Sequence, residues 1–127
     1  MGTAVKITVG EVELDAELFD TECAQSIVGL LPTSAPFKLW GDEIYFEIPY
    51  ICNRDETATC DIEIGTIAYW PVGHAVCLFF GPTPMSSSRK PVPADRVNII
   101  GRITGDPLML RRAKGATRIN IALGEPK

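Results

Sequence analysis

Glycine and proline, 11 and 10 of 127 residues, cut this chain into apolar stretches too short for long helices. That punctuation restricts the fold more than any single motif, because short extended runs joined by tight turns must find partners in a sheet. At residues 5–9 and 12–16 apolar and polar side chains alternate around Gly10-Glu11, which predicts a hairpin with one wet face. Residues 43–48, 62–70, 97–103 and 117–122 also read as strands, with Gly65 marking a break in the second of these. Residues 75–80 are continuously apolar, as expected of a strand covered on both sides.

Two helical pieces interrupt the strands. Asp20 or Thr21 is suited to cap a helix, and Ala24, Ile27, Val28 and Leu31 recur at helical spacing until Pro32, so a helix is predicted over 21–31. A shorter helix is predicted over 108–113, ended by Gly115. Residues 32–36 read as a breaker, and 37–40 as an extended segment joined through Gly41-Asp42 to the strand that follows, with a bend at Gly41. Residues 85–93 read as a surface loop. The pattern implies a mostly β fold, an antiparallel barrel or sandwich plugged by helices, in a single domain over 1–127.

The net charge of -4 comes from scattered acids, and Lys and Arg never cluster beyond Arg89-Lys90 and Arg111-Arg112. A nucleic-acid partner is therefore not expected. No apolar run is long enough to cross a bilayer and the first residues lack a leader pattern, so the expectation is a cytoplasmic protein without a membrane partner. Cys23, Cys52, Cys60 and Cys77 have neither Cys-x-x-Cys spacing nor a set of histidines, which argues against a metal site. No Gly-rich phosphate loop is present, and no cofactor is expected. Cys52 and Cys60 bracket a polar stretch and are placed either as reduced thiols or as a disulfide at the base of a hairpin. The continuous apolar strand leaves homo-oligomerisation open, since a dimer seam and a buried barrel stave explain it equally well.

The chemistry-bearing residues gather in two strings. On a regular strand over 43–48, Ile44, Phe46 and Ile48 face inward while Glu43, Tyr45 and Glu47 face outward beside Trp40. This is either an ordinary solvated strand face or a grouping that holds a ring and hydrogen-bonds an amide. In the second string Tyr69-Trp70-Pro71 forms a stiff aromatic platform or plain core packing, and Gly73 permits a turn that exposes His74. A loop imidazole serves as acid, base or donor when a substrate reaches it, and otherwise is simply solvated. Nucleophile constellations fail: no Gly-x-Ser-x-Gly elbow occurs, Ser86-Ser87-Ser88 lies in the loop, and Cys77 falls within the apolar strand.

The strings at 40–46, at 65–86 from Gly65-Thr66-Ile67 through Tyr69-Trp70-Pro71-Val72-Gly73-His74 to Gly81-Pro82-Thr83-Pro84, and at 97–101 (Val97-Asn98-Ile99-Ile100-Gly101) together resemble the small prokaryotic cyclophilin-like family. The resemblance implies a closed antiparallel barrel of about eight strands, with one main and one short helix. Prolyl isomerases of the wider group carry Phe-His-Arg, Gln-Gly-Gly and later Trp and His signatures, which are missing here. Where the first would fall in chain order the segment 37–43 offers Lys38 and Trp40. The leading expectation is thus a small molecule or short peptide bound in an outer groove lined by Trp40, Glu43, Tyr45, Tyr69, Trp70, His74 and Phe79. The alternatives are an isomerase with an altered site, or an enzyme acting on small amides with Glu43 as base and His74 as acid, as related barrels in amide-hydrolysing enzymes suggest.

Overall fold

Strand parity and hairpin turns organise the protein, described here from a computed structural model that covers residues 2–50 and 52–124. The chain opens with β1 (Thr3–Val9) and β2 (Val12–Leu18), paired antiparallel across the predicted turn, where Gly10 takes a positive φ of 61°. Helix α1 (Glu22–Val28) follows, its first turn capped by the Thr21 side chain, which accepts from the Ala24 N–H at 3.2 Å. It stops at Gly29, short of the predicted Leu31. Then come β3 (Thr33–Pro36), β4 (Lys38–Leu39), β5 (Glu43–Glu47), β6 (Thr66–Trp70), β7 (Ala75–Phe79) and β8 (Asn98–Ile103). A 3-10 helix, Pro107–Ala113, and β9 (Arg118–Leu123) complete the chain.

All strands belong to one antiparallel sheet of nine, in the order β3-β9-β1-β2-β8-β6-β7-β5-β4. The two edges, β3 and β4, are separated in sequence by Phe37 alone, so the chain itself links the margins of a nearly closed barrel. The segment read as a breaker over 32–36 is in fact an edge strand on β9. Proline is compatible with that position because an edge strand leaves part of its N–H row without a ladder partner.

The interior is filled by the inward-facing set, including Val5, Ile7, Leu14, Ile44, Phe46, Tyr69, Leu78, Phe80 and Ile100, with α1 and the 3-10 helix contributing Ala24, Ile27 and Leu110. β7 is buried along its whole length, as its apolar run requires. Its second face is covered from outside: Ile62, Ala68, Cys77, Phe79 and Val97 form a separate apolar cluster with Tyr45, Trp70 and Ile99 packed against it. The covering segments are pinned in place. Thr59 and Val97 exchange backbone hydrogen bonds at 3.0 and 3.1 Å, the Thr83 hydroxyl donates to the Val92 carbonyl at 2.5 Å, and the buried Asn98 amide spans the Asp55 N–H and the Asn53 carbonyl. All four cysteines are free: Cys52 is buried in the main core and Cys60 is exposed, so the Cys52–Cys60 bridge does not form. Among the described residues no helix is long and apolar enough to cross a membrane.

Candidate ligand-binding site

The outer face of β5, β7 and β6 is where covering chain and barrel wall part. A cavity of about 190 Å³ lies there, lined by Trp40, Glu43, Tyr45, Trp70, Cys77, Phe79, Pro93, Ala94 and Val97. Register explains the grouping. Glu43 stands opposite Phe79 and Tyr45 opposite Cys77, so four side chains of two strands project from one patch. On the other flank Ala68 opposes Cys77 and Trp70 opposes Ala75. Small residues down the middle, between the rings of Trp70, Tyr45 and Phe79, leave the hollow.

Two glycines fix its walls. Gly41 turns the chain between β4 and β5 with φ 62°, and a Cβ there would come within 2.9 Å of the Pro82 carbonyl oxygen and the Thr83 Cα. That close approach brings Trp40 and the 81–97 segment to the same rim. A Cβ on Gly73 would fall 2.4 Å from Trp70 Cε3, so the benzo edge of that indole lies against the glycine at the β6–β7 turn. The Trp70 Nε1–H is buried with no acceptor among the described residues.

Glu43 is 5% exposed. Burial drives its carboxyl up to about 7 from an ordinary 4.5, a hydrogen bond with the Cys77 thiol opposes the rise, and no cation is among the influences on it. The Cys77 thiol is pushed well above its usual range by burial and further by the neighbouring Glu43 carboxylate. Asp42, the adjacent residue, meets the opposite fate. Its carboxylate receives Arg111 Nη2 at 2.9 Å and Lys114 Nζ at 2.6 Å. Burial pulls its pKa upward, but the hydrogen bonds from Lys114 and Arg111 outweigh that and hold it below the usual value. The entry into β5 thus sends one acid, in the turn, to a pair of cations and the next, on the strand, into an apolar hollow without one.

Of the residues expected at the groove, the cavity brings together Trp40, Glu43, Tyr45, Trp70 and Phe79 and leaves out two. Tyr69 points the other way. It is fully buried in the barrel, where its hydroxyl donates to the Tyr50 carbonyl at 2.8 Å and accepts from the Cys52 N–H at 3.2 Å. The reason is the two-residue period of β6, which cannot present neighbours Tyr69 and Trp70 to one face. His74 sits exposed at the β6–β7 turn with φ 50°. Its carbonyl accepts from the Ile48 N–H, which places it five residues along β5 from Glu43, roughly 16 Å at strand rise. Glu43 and His74 therefore do not converge as a base and acid pair.

Sequence reasoning missed Cys77, Pro93, Ala94 and Val97. The parity of the 75–80 run carried a signal for Cys77, since it shares a face with Phe79. Nothing local marked 93–97, which reaches the site only through tertiary folding. The described residues contain no group of three His, Cys, Asp or Glu able to hold a metal ion. Chemically the cavity offers apolar and aromatic contact and one carboxyl poised near neutrality.

A family model described as Cyclophilin-like matches residues 3–122. No curated protein matches the chain significantly. Among solved structures, the solution structure of the hypothetical protein AF2241 from Archaeoglobus fulgidus is similar over 97% of this chain and 95% of its own, with a TM-score of 0.80 and 32% identity. A second, McbB in complex with tryptophan, superimposes with a TM-score of 0.67 at 15% identity, over 97% of this chain and 46% of its own. That second likeness is one of fold. With the family model spanning nearly the whole barrel, the chain belongs to the cyclophilin-like family.

Proposed function

We propose that the protein binds a small organic molecule, or the terminal residue of a short peptide, in the cavity on the outer face of β5, β7 and β6. The observation that carries this reading is a hollow walled by the rings of Trp40, Tyr45, Trp70 and Phe79 that also holds a buried carboxyl. Rings supply contact area at little cost in side-chain entropy, and a lone carboxyl at the edge of an apolar cavity orients what enters. McbB, of whose length this fold covers 46%, was solved in complex with tryptophan, and that likeness is one of fold alone. Prolyl isomerisation is less well supported, because no lining residue is a cation able to weaken amide resonance and Arg111 is engaged by Asp42.

Both indoles of the chain line the cavity, so intrinsic tryptophan fluorescence reports on this site. Titration with a panel of small aromatic molecules and dipeptides is expected to shift emission, with affinity reduced in Trp40→Ala and Tyr45→Ala. A ligand that binds both variants as tightly as the unaltered protein would move the site elsewhere.

A further inference from the structure

A buried carboxyl in a folded protein ordinarily has a cation or several hydrogen-bond donors beside it, since an uncompensated charge in an apolar surrounding is costly. Glu43 has neither. Its neighbours in the cavity are the Cys77 thiol and apolar or aromatic groups; of the cations near β5, Arg111 and Lys114 are committed to Asp42, and the exposed Lys38, opposite Tyr45 on β4, is neither in the cavity lining nor among the influences on Glu43. The surrounding rings of Trp40, Tyr45, Trp70 and Phe79 are of the kind that attract an ammonium group through their quadrupoles. Resting on the reading that this cavity is a ligand site, we infer that its ligand is an amine cation on a small aromatic or apolar frame, whose ammonium group becomes the missing partner of the Glu43 carboxylate.

The charge arithmetic follows. Besides Glu43, the titratable groups lining the cavity are Tyr45 on the same strand and Cys77 on β7; β4 carries the exposed Lys38 opposite Tyr45, outside the lining, the β4–β5 turn and β6 contribute indoles, and the covering segment contributes Pro93, Ala94 and Val97. An amine must therefore displace the Glu43 proton, and its binding strengthens as that proton is lost. With the carboxyl titrating at about 7, the ionised fraction rises about tenfold from pH 6 to pH 8, and affinity for a permanently protonated amine rises with it.

Three probes of matched size separate the possibilities: phenethylamine, phenethyl alcohol and hydrocinnamate, each titrated against intrinsic fluorescence at pH 6 and pH 8. The expected result at pH 8 is phenethylamine binding at least about tenfold tighter than either of the others, an advantage lost in Glu43→Gln. On the unaltered protein its affinity rises about tenfold between the two pH values while that of the alcohol stays flat. If the alcohol or hydrocinnamate quenches as tightly as the amine, or the amine shows no rise with pH, the cation assignment fails while the cavity reading stands. If none of the three perturbs either indole at millimolar concentration, both fail.

Discussion

Tyr69 and Trp70 are neighbours on β6, yet they end in opposite polar circumstances. The inward Tyr69 has its hydroxyl satisfied twice, by the Tyr50 carbonyl and the Cys52 N–H, whereas the outward Trp70 buries an N–H with no acceptor among the described residues. Asp42, just before β5, and Glu43, its first residue, repeat the contrast, one acid with two cations and the next with none. Both faces of the same staves exclude water, but only the inner one has its polar groups matched. Matched polar groups belong to a finished core. Unmatched ones beside a cavity are what the proposed ligand site requires.

The largest test of that contrast is deletion at each face. Phe80→Ala, fully buried inside the barrel, is expected to cost about 3–5 kcal/mol in urea or guanidinium unfolding. Tyr45→Ala, half-buried on the outer face, is expected to cost less than half as much. Equal losses would make the outer cluster ordinary core and erase the distinction.

Next in size is the acid without a partner. The Glu43 folded pKa is raised above its unfolded value, so folding holds a proton that the unfolded chain releases. Stability then falls as pH rises from 4.5 to about 7 and is level above that, a penalty of about 3 kcal/mol when ionised. Glu43→Gln is expected to flatten this slope, gaining on the unaltered protein by about that amount between pH 4.5 and pH 8. Parallel pH profiles for the two proteins in denaturant titrations would show that the carboxyl is already compensated.

Tyr69→Phe is the converse experiment on the inner face. It leaves the Tyr50 carbonyl and the Cys52 N–H without their buried partner and is expected to cost about 1–3 kcal/mol, with no change in ligand affinity. An altered affinity would connect the two faces. Smallest is Asp42→Asn, about 1 kcal/mol at pH 7, because Arg111 and Lys114 are 52% and 44% exposed and their attraction is screened. The sign opposes that of Glu43. The Asp42 pKa is lowered, so its contribution is present above 3.8 and disappears as pH falls through the folded value. Loss of the difference between Asp42→Asn and the unaltered protein below that point, seen by thermal unfolding, sharpens the pairing of opposite slopes.

Much of the barrel was legible in the chain. Alternation in β1, β2 and β5, the uniformly apolar β7, the Gly41 bend and the Thr21 cap are local patterns, and each reached its expected place. The Thr33–Pro36 edge strand was not, because its partner β9 lies at the far end of the chain and prolines mask the extended tendency. The lining of the cavity was legible where parity governs it, in Glu43, Tyr45 and Phe79, and Trp40 and Trp70 were legible from the clustering of rings. Tyr69 was drawn in wrongly by the same clustering, since proximity in sequence along a strand means opposite faces in space.

The sequence by itself determined which side chains share a face, because a two-residue period is a property of extended backbone. Which of the two faces would carry the cavity was decided only by tertiary structure. Residues 93–97 cross over the outer wall, and Arg111 and Lys114 arrive from a helix distant in sequence to claim Asp42 and leave Glu43 alone. Solvation and charge pairing are set by what packs against a residue after the barrel closes, and no local pattern in the chain encodes them.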